Sequence, residues 1–294
     1  MSFKIAGIGE VLWDLLPTGP RLGGAPANFA CHVQSLGGQA AMITRVGRDP
    51  LGKSVCERFA ERGLATDAVQ IDPELPTGTV TVTLDDHGEP RFVIHENAAW
   101  DGLELNLPAL SAASAADAVC FGTLAQRTEA ARAVIQQLIA ATPERALRVF
   151  DVNLRQAFYT PAVIEQSLQL ANVLKLNESE LAILARVFSL DASTWRQMEQ
   201  LAQIFGLRLV ALTRGARGSV LFLNGRWSEW PHLAVSVADT VGAGDAFTAA
   251  LVLGLLQDMD LDDLHATAAE CAGYVCTQVG ATPELPAYLR KRFG

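Results

Sequence analysis

Short apolar runs alternate with helix-periodic segments along almost the whole chain, and this rhythm limits the folds that the chain can adopt. Uninterrupted apolar runs are typical of strands buried on both faces, as in parallel sheets that helices cover on both sides. The pattern therefore predicts the α/β class, with a three-layer, doubly wound and mostly parallel sheet. Six runs have this character: 4–8, 40–46, 118–122, 148–152, 173–176 and 209–213.

Local signals mark several helices and one tight hairpin. Asp49 and Thr160 each precede a proline, the arrangement of an N-cap followed by proline in the first helical turn. The segment 194–205 runs into Gly206, and glycine commonly ends helices. Within 220–230, an Asn-Gly pair between two strand-like runs predicts a hairpin.

A second small sheet is predicted from two segments in which polar and apolar residues alternate. Residues 77–84 and 91–94 flank the sequence Asp-Asp-His-Gly-Glu, which predicts a hairpin with one side facing solvent or a ligand. Residues 11–22 could add strands to it. So small a sheet buries too little apolar surface to be stable alone. We interpret it as a lid, formed by about 11–22 and 76–100, inserted into one domain that spans 1–294.

Charge and hydropathy exclude some partners. The chain has 23 Lys+Arg against 32 Asp+Glu, a formal net charge of −9, and its basic residues do not cluster. We therefore expect neither a nucleic-acid nor a membrane partner. The first residues lack the basic start and uninterrupted apolar core of an export signal. The most apolar run, 246–256, is about half of the ~20 residues that a membrane span needs. These features predict a soluble, cytoplasmic protein.

The sequence Asp-Thr-Val-Gly-Ala-Gly-Asp at 239–245 is the most informative segment for function. Its glycines precede a long apolar helix and let backbone N–H groups face outward at the helix start, where they hold phosphate oxygens well. Asp245 is unusual there, and in isolation it would more often be a helix cap. The second acid, Asp239, and a helix apolar enough to be buried favour a catalytic group instead.

Phosphoryl transfer is the chemistry that these residues suit. The amides of Gly242, Ala243 and Gly244 would stabilise charge on the transferring group, and Asp245 would accept the proton of an attacking hydroxyl. The Walker sequence Gly-x4-Gly-Lys-Ser/Thr is absent. A nucleotide would therefore be bound by a fold of another type.

Another glycine-rich segment, Gly-Gly-Ala-Pro-Ala-Asn at 23–28, precedes a helix predicted to start near Asn28. Gly23 and Gly24 allow a small ligand to approach the backbone, and the Asn28 amide offers a donor and an acceptor to a hydroxyl-rich ligand. The residues alone are equally compatible with a tight turn in which Asn28 caps the helix.

Together, the segments 23–28 and 239–245 resemble the two motifs of the ribokinase-like sugar kinases, also called the phosphofructokinase B family. The likeness covers nearly the whole chain in order and spacing. Trp100 is a departure, because a small residue is expected before Asp101. Within the family the chain is most similar to bacterial fructokinases, through Gly-Glu-Val-Leu-Trp-Asp at 9–14, the segment 23–28, Asp-Val-Asn-Leu-Arg at 151–155 and Lys-Leu-Asn-Glu-Ser-Glu at 175–180.

The resemblance implies roles for single residues on the sugar and magnesium side of a site. Asn177 and Glu180 match an Asn-x-x-Glu element that arranges Mg²⁺ and the phosphates of ATP, with Glu180 acting through water because Mg²⁺ dehydrates reluctantly. Arg155 could approach the transferring phosphate or a substrate anion, although a surface ion pair is the alternative. Sugar hydroxyls would be bound by Asp14, Gly23, Gly24 and Asn28.

On the nucleotide side, the resemblance implies a loop along ATP and an adenine pocket closed near Gly280. In many family members that closing segment also shares a monovalent cation with the residue at the position of Asp239, so K⁺ is a further candidate cofactor. The loop residues are Thr213, Gly215 and Gly218.

We therefore predict an ATP-dependent kinase that phosphorylates a primary hydroxyl of a sugar, with fructose as the leading candidate. A kinase for 2-keto-3-deoxygluconate is the alternative, because Asp-x-Asn-x-Arg is shared with those relatives and Arg155 could serve a carboxylate. A sugar-binding regulator without turnover and a structural subunit are disfavoured by the intact Asp245. The lid predicts a homodimer, because its apolar side (Val80, Val82 and Leu84) has too few strands to cover it.

Overall fold

The computed structural model describes residues 3–84, 90–231 and 235–294. The turn predicted at 85–89 and the side chains of Val82 and Leu84 lie outside what it describes. Within these ranges the strands are β1 (Lys4–Ile8), β2 (Leu12–Leu16), β3 (Gly19–Gly23), β4 (Gln39–Gly47), β5 (Val69–Asp72), β6 (Gly78–Leu84), β7 (Pro90–Ile94), β8 (Ala118–Phe121), β9 (Leu147–Asp151), β10 (Val173–Asn177), β11 (Leu209–Thr213), β12 (Ser219–Leu223) and β13 (Arg226–Trp230).

The helices fall between these strands, as the rhythm of the sequence predicts. Short 3₁₀ helices occupy Ala99–Gly102, Leu124–Gln126, Gly215–Arg217 and Lys291–Phe293. The α-helices are α1 (Ala25–Ser35), α2 (Pro50–Glu61), α3 (Leu107–Ser114), α4 (Glu129–Ala140), α5 (Pro161–Leu170), α6 (Glu178–Val187), α7 (Thr194–Phe205), α8 (Ala243–Leu256), α9 (Leu261–Cys276) and α10 (Ala287–Arg290).

A nine-stranded sheet forms the centre of the molecule, in the order β13-β12-β11-β10-β9-β8-β1-β4-β5. Its strands pair in parallel from β5 to β11, and β12 and β13 extend it as the antiparallel hairpin predicted from Asn224-Gly225. All six predicted strands are present within two residues of their expected ends. The α/β, mostly parallel sheet is confirmed.

Helices cover both faces of this sheet, because its apolar strands bury side chains in both directions. Along β11, Leu209 and Ala211 join a core cluster with α1, α2, α8 and α9, whereas Val210 and Leu212 join a second cluster with α3 to α7. This alternation with a period of two is what a strand requires. The three-layer arrangement is thus confirmed.

The predicted helix signals act as expected. The Asp49 carboxylate accepts a hydrogen bond from Gly52 N at 2.7 Å, and the Thr160 hydroxyl accepts one from Val163 N at 3.2 Å. Gly206 ends α7 in the left-handed region, with φ of 65°. In the described ranges, no helix combines the length and the hydropathy needed to cross a membrane.

The small sheet is also present, in the order β3-β2-β6-β7, so residues 11–22 do contribute two of its strands. Its inner face rests on the main domain: Val80 and Ile94 are 4% and 8% exposed within a cluster that includes Trp100. The prediction that the apolar side at Val80 lies uncovered is therefore wrong, because the main domain already covers it.

Candidate active site

The candidate active site lies where the carboxyl ends of the central parallel strands face the small sheet. Polar side chains follow these strands directly: Glu10 after β1, Asp151 at the end of β9, Asn177 at the end of β10 and Thr213 at the end of β11. Ligands in open α/β sheets bind at this edge, because the strands end there and the helices that follow them begin.

Helix α8 begins at Ala243, three residues before the predicted start. Its N-cap is Gly242, with φ of 81° and no capping side chain, so Asp245 is the third residue of the helix and the capping interpretation of Asp245 is wrong. A Cβ atom at Gly242 would clash with the Ala281 carbonyl. The glycine therefore allows both the left-handed backbone and the close approach, and it leaves the first N–H groups of α8 without a side-chain cap.

Helix α1 meets this helix start. It begins at Ala25, with Gly24 (φ of 104°) as its N-cap, so Asn28 lies inside the first turn and does not cap it. Instead, Asn28 Nδ2 donates a hydrogen bond of 2.8 Å to Asp245 Oδ2. The two glycine-rich motifs, 217 residues apart along the chain, are thereby joined in one site.

Asp245 is partly buried, and its environment suits a general base. Burial raises its pKa from 3.8 to about 6, with a further rise from the Asp151 carboxylate, while Lys175, Asn28 and Arg155 oppose the change. A carboxylate of this pKa is ionised at neutral pH and is a stronger proton acceptor than an ordinary aspartate.

A buried ammonium lies beneath this helix start. Lys175 Nζ is 3.1 Å from Asp151 Oδ1, and Thr248 donates to the other Asp151 oxygen at 3.2 Å. Burial alone would lower the pKa of Lys175, but the carboxylates of Asp151, Glu180 and Asp245 outweigh it, so its pKa is raised. A Cβ on Gly244 would lie 3.1 Å from Nζ. Gly244 therefore lets the charged ammonium approach the first turn of α8.

The Asn-x-x-Glu element forms a capping box at the start of α6. Asn177 Oδ1 accepts from Glu180 N at 3.0 Å, and Glu180 Oε2 accepts from Asn177 N at 2.8 Å. Glu180 Oε1 also accepts from Leu154 N at 3.0 Å. Both carboxylate oxygens are therefore engaged by amides but keep lone pairs for water. This donor set fits Mg²⁺ held through water rather than by direct coordination.

The predicted sugar-binding residues lie on the small sheet and on the helix that follows it. Asp14 and Arg21 are directly opposed on β2 and β3, so they share one face with Gly23. A Cβ on Gly23 would lie 2.9 Å from Asp14 Oδ2. Burial raises the pKa of Asp14, and the nearby Arg155, itself exposed, opposes this. Asp14 and Arg155 thus lie on the same side of the site.

Glu10 is a residue that the motif analysis missed. It is 2% exposed, and its Oε2 has no hydrogen-bond partner among the described residues. Burial raises its pKa from 4.5 to about 7, and Asp245 adds to the rise. Lys175 was also missed as a functional group, because it stands in an apolar strand run. For Lys175 the signal was a charged residue within a segment predicted to be buried, whereas Glu10 follows the predicted strand 4–8 by two residues.

A cavity of about 360 Å³ opens beside the start of α8. The predicted nucleotide residues Thr213, Gly215 and Gly218 line it, together with Ala243 and Gly244, and its other walls are largely apolar. An apolar pocket that ends at a helix start without a side-chain cap suits a flat apolar base linked to phosphates.

Gly280 lines a different cavity, on the far side of the loop that precedes α8. Its N–H donates to Asp239 Oδ2 at 3.1 Å, and Val241 N donates to Asp239 Oδ1 at 3.1 Å. Arg21 Nη1 lies 3.6 Å from the same Oδ2. Asp239, for which the resemblance implies a shared monovalent cation, thus already contacts two backbone N–H groups and the Arg21 guanidinium.

Comparisons with known proteins point to one family. A model described as pfkB family carbohydrate kinase matches residues 19–287. A fructokinase from Klebsiella pneumoniae is 32% identical over 303 residues, covering 97% of each sequence. The structure of a fructokinase from Xylella fastidiosa with bound ATP has a TM-score of 0.86 at 25% identity, covering 98% of this chain and 97% of that one. A double mutant of Vibrio cholerae fructokinase, in fructose, ADP and potassium ion bound form, has a TM-score of 0.82 at 26% identity, with both chains fully covered.

Proposed function

The chain belongs to the pfkB family of carbohydrate kinases, and we propose that it transfers the γ-phosphoryl group of ATP to a primary hydroxyl of fructose. The observation that carries the proposal is the hydrogen bond between Asn28 and Asp245. It joins the segment expected to bind the sugar to a partly buried carboxylate, that of Asp245, on the helix whose start lines the apolar cavity.

Asp245 is the base in this proposal. A sugar hydroxyl is a weak nucleophile until a neighbouring group accepts its proton, and a pKa raised to about 6 suits that task near neutral pH. Asn28 holds the carboxylate in place and offers its amide oxygen to a neighbouring hydroxyl of the sugar. Asp14 accepts from further hydroxyls on the opposite side, from the lid.

Charge on the transferring group is stabilised by the first turn of α8. The N–H groups of Gly242, Ala243 and Gly244 are uncapped by any side chain among the described residues, and Lys175 lies directly below Gly244. Both features place positive potential where negative charge develops. Mg²⁺, held through water near Glu180, would bridge and neutralise the phosphates when bound.

Arg155 supports a second candidate substrate. It is exposed near Asp14 and has no carboxylate partner among the described residues, so it could pair with the acid group of 2-keto-3-deoxygluconate. The fructokinase relatives favour fructose, which carries no acid group.

ADP release measured with a panel of sugars tests the proposal. Fructose should give the highest kcat/KM. A kcat/KM about tenfold higher for 2-keto-3-deoxygluconate corresponds to ~1.4 kcal/mol of transition-state binding, and it would mean that this sugar acid, not fructose, is the substrate. Release no faster than the sugar-free background with every sugar would favour a non-catalytic sugar-binding regulator.

We also propose a homodimer through the lid. This proposal now rests on the exposed edge strand β7 and no longer on the face at Val80. Phe92 and Val93 on β7 are 52% and 50% exposed, and β7 is the edge strand of the small sheet. An exposed edge strand with apolar side chains tends to pair with another strand or surface. A second copy of the lid would cover it.

A further inference from the structure

The loop before α8 contains an acid that is already paired with a cation of this chain. Arg21 Nη1 lies 3.6 Å from Asp239 Oδ2, and neither side chain is fully exposed, at 38% and 21%. Asp239 stands three residues before Gly242, where the polyphosphate of a nucleotide would lie. A carboxylate at that place repels the polyphosphate unless a positive charge compensates it.

The carbonyl groups beside this pair are engaged as well. His32 Nε2 lies 3.0 Å from Ala281 O, and Arg62 Nη2 donates to Thr282 O at 2.8 Å. A potassium ion is held by several oxygen atoms that replace its hydration shell, and backbone carbonyls commonly supply them. Two of the carbonyls nearest to Gly280 are thus already hydrogen-bonded to side chains.

The cavity on this side also carries positive charge. It measures about 290 Å³ and is lined by Arg21, Arg58 and Arg62 together with residues of the Gly280 loop. Arg58 lies over the Trp13 ring, 5.0 Å from its centroid. A metal cation that entered this cavity would meet three guanidinium groups, which repel it.

We propose that Arg21 supplies the positive charge that Asp239 requires, so that this kinase works without a monovalent metal cation. The inference rests on the proposed kinase activity. It separates this chain from the Vibrio cholerae fructokinase, whose structure was obtained with potassium bound.

The lid carries this charge, and the lid also carries a predicted sugar-binding residue. Arg21 on β3 is directly opposed to Asp14 on β2, so both side chains leave the small sheet on the same face. The face of the lid that carries Asp14 therefore also carries the guanidinium that pairs with the loop of Asp239.

The test compares potassium with tetramethylammonium at equal ionic strength, because tetramethylammonium is too large for a carbonyl site. For the unaltered protein, kcat/KM for ATP with fructose should agree within about twofold in the two salts. Arg21→Gln should lose about tenfold or more in tetramethylammonium and recover in part with potassium. Arg21→Lys, which keeps the charge, should remain independent of potassium. Arg226→Gln is the matched control, since Arg226 forms a 3.5 Å pair with Asp260 at a distant surface.

Thermal melting provides a readout that does not require turnover. A salt that binds only the folded state raises its melting temperature. Potassium should therefore stabilise Arg21→Gln relative to tetramethylammonium, and it should not stabilise the unaltered protein. Activation of the unaltered enzyme by potassium of about tenfold, or a potassium-specific rise in its melting temperature, would overturn the inference. Full activity of Arg21→Gln in tetramethylammonium would overturn it too. Absence of turnover with every sugar would refute the kinase proposal, and the melting comparison would still decide the role of Arg21.

Discussion

Replacing Asp245 by asparagine separates catalysis from stability, because the partly desolvated carboxylate is needed as a base but lowers the stability of the folded state. The substitution Asp245→Asn keeps the size of the side chain and an oxygen that can accept the hydrogen bond from Asn28. The new amide cannot accept the proton of a hydroxyl. A general base of this kind contributes about 10² to 10⁴ in rate, so kcat should fall by at least about 10² while ATP still binds.

The stability of the same variant should rise. The pKa of Asp245 is raised from 3.8 to about 6, chiefly by burial. Each pKa unit corresponds to about 1.4 kcal/mol, so keeping this group ionised in the folded state costs about 3 kcal/mol at pH 8. Because the folded pKa is the higher one, the cost is absent below pH 3.8 and complete above about pH 6. About half of it remains at pH 5. This net cost already includes the attraction to Lys175, which lowers the pKa of Asp245.

Urea unfolding at pH 8 and pH 5, together with kcat, checks both expectations. Asp245→Asn should be more stable than the unaltered protein at pH 8, by up to about 3 kcal/mol, and by less at pH 5. Asp117→Asn is the control, because Asp117 accepts a hydrogen bond from Lys4 N at the opposite edge of the sheet. This substitution should change kcat and the free energy of unfolding little. A variant that keeps more than about a tenth of kcat, or whose stability difference does not depend on pH, would refute the assignment of Asp245 as a base with a raised pKa.

Three further expectations concern neighbouring features. Lys175→Met should lower the free energy of unfolding by about 3–5 kcal/mol in urea titrations, since it leaves buried carboxylates uncompensated, and a loss below about 1 kcal/mol would contradict the charge cluster. Asn28→Ala removes a hydrogen bond that lowers the pKa of Asp245. The acid limb of the kcat/KM profile should move to higher pH, and an unchanged profile would speak against the contact. Phe92→Glu should shift the mass measured by light scattering from about twice 31.4 kDa toward that of one chain. Ile204→Glu should not, although Ile204 on α7 is an equally exposed apolar residue. An unaltered protein that is already monomeric would contradict the proposed dimer.

The sequence predicted the fold well because strands and side-chain caps leave local signals. Strand β11 was predicted to the residue, and Asp49 and Thr160 cap as expected. The starts of α1 and α8 were each placed three residues late, because their caps are glycines that have no side chain to reveal them.

The site was predictable only in part, because several of its contacts join distant segments. Glycine motifs pointed to Asn28 and Asp245, but not to the hydrogen bond between them. Lys175 was hidden in an apolar strand, since only the carboxylates of other elements explain a charge there. Arg21 carried no motif at all, and its partner Asp239 is more than two hundred residues away.

The pairing of α1 with α8 also has a consequence for how the protein is made. Asn28 and Asp245 are 217 residues apart, so their contact closes one of the longest loops that this chain allows. Such contacts form late, because the entropy of loop closure must be met before they contribute any stabilisation. All strands of the central sheet, which ends along the chain at Trp230, are therefore synthesised before Asp245. Regain of catalysis during refolding should mark the last step of folding, after most of the helical signal has already returned.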